Sequence, residues 1–301
     1  MISKNDIKKI AKENLIDEIR FIDALEYEPK EIFQGRMPRD IMPEAKSVIV
    51  TLIYIGSVEL KGFDDLKHAR ISKLALSGFY SNIVRPMKGI YNYLLDNGHK
   101  AKIVDGEESE ETISLKGVAV KAGLGWIGRN ALLINKDYGS FIALGAIITD
   151  ADLAEKNINK ELSCPVNCHE CQKACPTLAN KSDKVLDRPN CISDYLESAD
   201  VILNQGVDLD NYFYECDICQ LVCPYNLKQI QKPLKTPFGD FFESLNVMAD
   251  EFSFDRLLNI TEEEYEKEIL KYFYGFELPY EMFKRNIKMT YAGVSERISK
   301  G

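Results

Sequence analysis

The eight cysteines are the residues of this chain best suited to chemistry, and all of them fall between residues 164 and 223. They run Cys164, Cys168, Cys171 and Cys175-Pro176, then Cys191, then Cys216, Cys219 and Cys223-Pro224. Four thiolates surround one [4Fe–4S] cubane, and eight supply two. A short Cys-x2-Cys spacing lets one tight loop wrap a face of a cluster, and in two-cluster ferredoxins the cysteine before Pro ligates the other cluster. By that rule Cys164, Cys168, Cys171 and Cys223 hold one cluster, while Cys175, Cys191, Cys216 and Cys219 hold the second. Zinc is the competing reading. It favours paired Cys-x2-Cys knuckles and does not call for triplets followed by Cys-Pro. Cys164 and Cys168 are separated by three residues rather than two, with Pro165 between them, and His169 is expected to tune the cluster or face solvent.

Two adjacent clusters move electrons singly, as a free carrier or as the feed line of a second redox centre. A ferredoxin needs only about sixty residues. This chain has 301, and the excess argues for a second site. Gly123-Leu124-Gly125-Trp126-Ile127-Gly128 matches G-x-G-x-x-G. A dinucleotide fingerprint wants a strand before it and a helix after it. Here the order is reversed, so NAD binding is rejected, and the glycines are read as permitting a close backbone approach to something flat or bulky.

The elements around these motifs point to an α/β (α+β) protein with a mostly antiparallel sheet flanked by helices. Residues 4–19 place Ile7, Ile10, Ala11, Leu15, Ile16 and Ile19 at helical spacing. Residues 47–55 form a nearly continuous β-branched run, the pattern of a strand buried on both faces. A second helix carries Ile83 to Leu95 and stops at Asn97-Gly98. Lys102–Val104 is a short strand ending at Asp105, followed by the acidic loop 105–111 and a helix over 115–122. Ala131–Ile134 and Ser140–Thr149 read as two strands of one hairpin. After residue 224 the chain is helical and aromatic, and its rings at helical spacing are expected in the core.

The net charge of −9 argues against general nucleic-acid affinity, although residues 116–129 hold Lys116, Lys121 and Arg129 with no acid. The start of the sequence has no apolar signal segment, and there is no run of 18 apolar residues, so a cytoplasmic protein without a membrane segment is expected. Thiols stay reduced there, which again favours metal ligation over disulfides.

The run Val118–Asn130, followed by Leu132-Leu133-Ile134, Tyr138-Gly139-Ser140-Phe141, Leu144-Gly145 and Thr149-Asp150, resembles the epoxyqueuosine reductase family. Cys191-Ile192-Ser193 and Cys216-Asp217-Ile218-Cys219-Gln220 with Cys223-Pro224-Tyr225-Asn226 are similar to its pattern. The resemblance implies a nitroreductase-like, cobalamin-binding catalytic domain over 1–158, a ferredoxin-like double-cluster domain over 159–228, and a C-terminal helical segment over 229–301 packing on the first. It implies that Gly125, Arg129, Asn130, Leu133 and Leu144 lie at the corrin and that Asp105 supplies a proton. It also implies a tRNA substrate whose epoxide is reduced to give queuosine, with reduced ferredoxin or flavodoxin as donor to a monomer. The family's Asp-Tyr-His appears here as Phe79-Tyr80-Ser81. A paralogous corrinoid reductase for a small molecule, and a plain electron carrier, therefore stay open beside the tRNA reading.

Overall fold

The computed structural model describes residues 2–25, 36–104, 113–156, 162–199, 206–232, 234–272 and 278–300. Its centre is a four-stranded sheet in the order β1-β2-β7-β4, formed by Glu18–Asp23, Ser47–Tyr54, Ile142–Thr149 and Ala101–Val104, with every pairing antiparallel. All eight positions of β2 are buried, because both faces of the sheet are covered. Ile49 and Ile53 join one core with helices Lys4–Glu13 and Phe79–Asp96, while Val48, Val50 and Leu52 join another with helix Leu115–Lys121.

The first core extends past the sheet into the C-terminal helices. Phe213, Phe252, Tyr265 and Phe283 are buried in it, with Phe283 stacked on Tyr265 at 4.3 Å. Tyr272, Tyr280 and Tyr291 pack against the same core, and residues 273–277 lie outside the described residues. Two further contacts tie the cysteine-bearing stretch to the rest. β3, Arg70–Ile71, runs parallel to β8, Tyr212–Tyr214. Asn286, on the last helix, donates to the carbonyls of Leu196 (2.8 Å) and Phe213 (2.9 Å) and is fully buried. No helix of the described residues is long and apolar enough to cross a membrane.

Two expectations need correction. The apolar spacing over 4–19 does not continue one helix. The helix stops at Glu13, where Asn14 returns its side-chain amide to the Ile10 carbonyl, Leu15 turns to φ 67° and Ile16 N donates to the Ala11 carbonyl. Ile19 then belongs to β1, edge partner of β2. The 131–134 and 140–149 segments are likewise not partners along their length. Asn135 and Gly139 close a tight turn with reciprocal backbone bonds of 2.8 and 2.9 Å, and the strands then diverge. β6, Leu133–Ile134, pairs instead with β5, Trp126–Ile127, whereas β7 enters the main sheet.

Candidate double-cluster site

All eight thiols are free, and local geometry brings four of them to one cavity. Cys168 N donates to the Pro165 carbonyl at 3.0 Å, so the three residues between Cys164 and Cys168 form a turn. His169 starts the short helix Glu170–Ala174 that carries Cys171, and its Nδ1 lies 2.7 Å from Gln172 Oε1. Cys175 caps that helix in an extended conformation and so leaves its axis, as the following Pro176 requires. Cys223 is the N-cap of helix Pro224–Gln231. Pro224 therefore opens a helix, since a proline at the first helical position forfeits no hydrogen bond.

One cavity is walled by Cys164, Cys168, Cys171 and Cys223 together with Arg129 and Tyr225. Burial, then the charges of Cys223, Cys164 and Cys168, pushes the Cys171 thiol up to about 11. Of the remaining four thiols, burial holds Cys216 and Cys219 well above the ordinary thiol range, with the charge of Cys191 acting on both and those of Cys171 and Cys175 on Cys219. The outer four ring a hollow, and thiolates spaced around a hollow suit a multi-iron core.

The glycine segment forms the layer between these thiols and the sheet. In its two-residue strands the side chains alternate, so Trp126 and Ile134 pack with Cys223 while Ile127 and Leu133 pack with Leu144 and β2. Gly125 is needed for that closeness, because a Cβ there would lie 2.2 Å from the Ile134 carbonyl oxygen. The bulky object that this glycine lets near is its own partner strand.

The residues expected at a corrin divide accordingly. Arg129 and Asn130 turn to the cysteine lobe. Arg129 pairs with Asp183 and donates through Nη2 to the Val166 carbonyl at 2.9 Å, and Asn130 Nδ2 lies 4.0 Å from Cys219 Sγ. Leu133 (3% exposed) and Leu144 (8% exposed) are already covered by protein neighbours. Asp105 lies outside the described residues, directly after Val104, where β4 runs beside β7. A cavity of about 600 Å³ does open near the inner thiols, between Tyr54, Lys73, Asp217, Leu221 and Phe242, and two buried polar atoms without partners, Ser57 Oγ and Arg70 Nε, belong to residues of its wall. None of Gly125, Arg129, Asn130, Leu133 or Leu144 lines it. Arg129 and Asn130 instead line the cavity of the outer thiols.

Several residues of the site escaped the sequence reading. Glu215 and Asp217 flank Cys216 and are buried. Burial, then the charge of Glu197, pushes Glu215 up to about 8, and burial pushes Asp217 to about 6. Ser72 donates to Glu215, and Asp217 accepts from Lys73 N and Gln220 Nε2, both at 2.7 Å. Asn226, fully buried, joins the lobe to the sheet. It accepts from Ser140 N (2.7 Å) and donates to Ser140 Oγ (2.9 Å) and the Gln220 carbonyl (2.8 Å). Asp217, Gln220 and Asn226 stood within the quoted cysteine motifs, but nothing local marked their partners.

The family description "4Fe-4S double cluster binding domain" matches residues 164–226. The epoxyqueuosine reductase of Synechocystis sp. is 32% identical over 238 residues, which are 76% of this chain and 78% of that protein. A solved epoxyqueuosine reductase with a tRNA-Tyr epoxyqueuosine-modified stem loop shares the fold at TM-score 0.78 and 22% identity, over 98% of this chain and 82% of the other. A reductive dehalogenase whose structure suggests a mechanism for B12-dependent dehalogenation aligns more distantly, with TM-score 0.51 and 17% identity over 80% of this chain and 33% of the other. The cysteine motifs, the antiparallel sheet and the sequence identity agree, and this chain belongs to the epoxyqueuosine reductase family.

Proposed function

We propose that the protein reduces the epoxide of epoxyqueuosine in tRNA to give queuosine. The observation that carries the reading is the cavity that brings Cys223 to Cys164, Cys168 and Cys171, within a segment that matches a 4Fe-4S double cluster binding domain. In this proposal each group holds a [4Fe–4S] cluster, and cobalamin is the second cofactor, as the family relationship and the B12-dependent dehalogenase likeness support. Removing the epoxide oxygen to leave a carbon–carbon double bond takes two electrons and two protons, and the oxygen departs as water. The clusters supply the electrons singly, and Asp105 is the proposed proton donor. The family resemblance assigns Gly125, Arg129, Asn130, Leu133 and Leu144 to the corrin's surroundings, and in this proposal the covered leucines support that region from beneath rather than touch the ring. The proposal includes a cytoplasmic monomer divided at 158/159 and 228/229.

A second reading has its own support. Phe79-Tyr80-Ser81 stands where the family carries Asp-Tyr-His, which favours a paralogue acting on a small molecule. Anaerobically prepared protein should hold about eight irons per chain and take up cobalamin. Cells lacking the gene should accumulate epoxyqueuosine in tRNA, and the protein should convert that tRNA. Cobalamin uptake with unchanged tRNA would move the assignment to the small-molecule reductase. Zinc in place of iron would end both readings.

A further inference from the structure

Buried polar atoms almost always have a partner, so a buried donor without one needs an explanation. Two such donors belong to neighbours of the outer thiols. Trp126 Nε1 and Arg129 Nε are buried and meet no acceptor among the described residues. Trp126 is 5% exposed and forms a small core with Ile134 and Cys223, against which Cys164 and Tyr225 pack. All four of those neighbours line the hollow of the outer thiols, and so does Arg129. The indole stands edge-on to Tyr225, with ring centres 4.9 Å apart and planes at 74°. The pairing of Trp126 with Ile134 fixes its place, and Gly125 permits that pairing. Arg129 engages its other nitrogens, Nη1 with Asp183 and Nη2 with the Val166 carbonyl at 2.9 Å, so only Nε is left over.

A buried water is the plain alternative partner for the indole, and it needs two to four polar groups of its own. The small core around Trp126 holds aliphatic, aromatic and thiol groups instead. We propose that Trp126 Nε1–H donates a hydrogen bond to a sulfur of the outer [4Fe–4S] cluster and raises that cluster's potential. The proposal rests on the cluster reading above. Hydrogen bonds to the sulfurs are one of the levers that set a cluster's potential. When the outer cluster passes from [4Fe–4S]2+ to [4Fe–4S]+ it gains one electron, and no bond or proton changes. The added negative charge makes its sulfurs better acceptors, so the bond is stronger in the reduced form and favours it. The glycine segment thereby gains a use, because the close approach at Gly125 sets the indole against the thiols.

The chain has a single tryptophan, so a label in the indole reports Trp126 alone. Cluster-loaded protein carrying 15N-indole tryptophan, reduced with dithionite, should show a 15N coupling by electron–nuclear double resonance on the signal that Cys168→Ser removes. Trp126→Phe keeps a ring and loses the N–H. In a redox titration its constant for one-electron reduction of the outer cluster should fall about ten-fold, which is about 59 mV for a single electron, with iron content and the inner cluster's midpoint unchanged. If Trp126→Phe loses iron, the label in the unsubstituted chain decides the matter. Intact clusters without the 15N coupling, or equal outer midpoints in wild type and an iron-replete Trp126→Phe, overturn the hydrogen bond alone. Failure of the wild type to take up iron overturns the cluster reading and the hydrogen bond with it.

Discussion

The two thiol groups come from one short stretch of chain and live in different surroundings. The outer group is closed by a loop whose Val166 is mostly in solvent, with an arginine in its wall. The inner group sits under Asn130, beside the buried carboxyls of Glu215 and Asp217 and the backbone of β8. Only Cys223, of the outer group, is buried, and the four inner thiols are partly exposed, so the groups differ in their neighbours rather than in their depth. Polar groups beside a cluster set its potential, so an arginine at one group and buried carboxyls at the other give the two centres different settings.

The sharpest way to break the comparison is to remove one ligand at a time. Cys219→Ser and Cys168→Ser should each lower iron from about eight to about four per chain and abolish turnover. Cys175→Ser should resemble Cys219→Ser in its electron paramagnetic resonance, although Cys175 is a near sequence neighbour of Cys171. If it removes the signal that Cys168→Ser removes, the assignment of thiols to groups is wrong.

Next in size are changes at the layer between lobe and sheet. Gly125→Ala should cost about 2–3 kcal/mol by forcing a methyl into the Ile134 carbonyl. Asn226→Ala should cost a similar amount by orphaning Ser140 and Gln220 groups. Denaturant titration reads both, and the lobe should loosen before the sheet does.

A smaller effect separates the sheet from the cysteines. Asp17 accepts from Tyr54 N at 2.7 Å, and burial raises its carboxyl from 3.8 to about 6. The unfolded chain ionises first as pH rises, so this group's contribution to stability falls between about pH 4 and pH 6 and is level above. Asp17→Asn should remove about 1–2 kcal/mol of that slope in unfolding curves and leave the cluster spectra untouched. The smallest signal is optical. Trp126, the single tryptophan, lies 4.9 Å from Tyr225 and packs on Cys223. Its emission should rise when the outer cluster is lost in Cys168→Ser and change little in Cys219→Ser.

The double-cluster motif was legible because ligand spacing is a local code, written in a few residues either side of each thiol. The long buried strand and the helix ending at Asn97-Gly98 were legible for the same reason. The break at Asn14-Leu15 was not, because the apolar spacing carries on through it and only the left-handed Leu15 and the pairing of Ile19 with Thr51 show where strand replaces helix. The carboxyls around the inner thiols were hidden for a different reason. Ser72 meets Glu215, and Lys73 meets Asp217, across more than a hundred residues of chain, and no short motif encodes such a meeting.

Cys223 closes the outer cavity from far along the sequence, 52 residues beyond Cys171 by subtraction of their numbers. A growing polypeptide thus cannot complete that pocket while the ribosome still holds its later part. The first three thiols emerge as an open tripod, exposed to oxidation and to stray metal, until the last arrives. Iron loading of this protein then becomes a late, nearly all-or-none event, and a cell short of iron would accumulate chains with a finished sheet and an unfinished lobe.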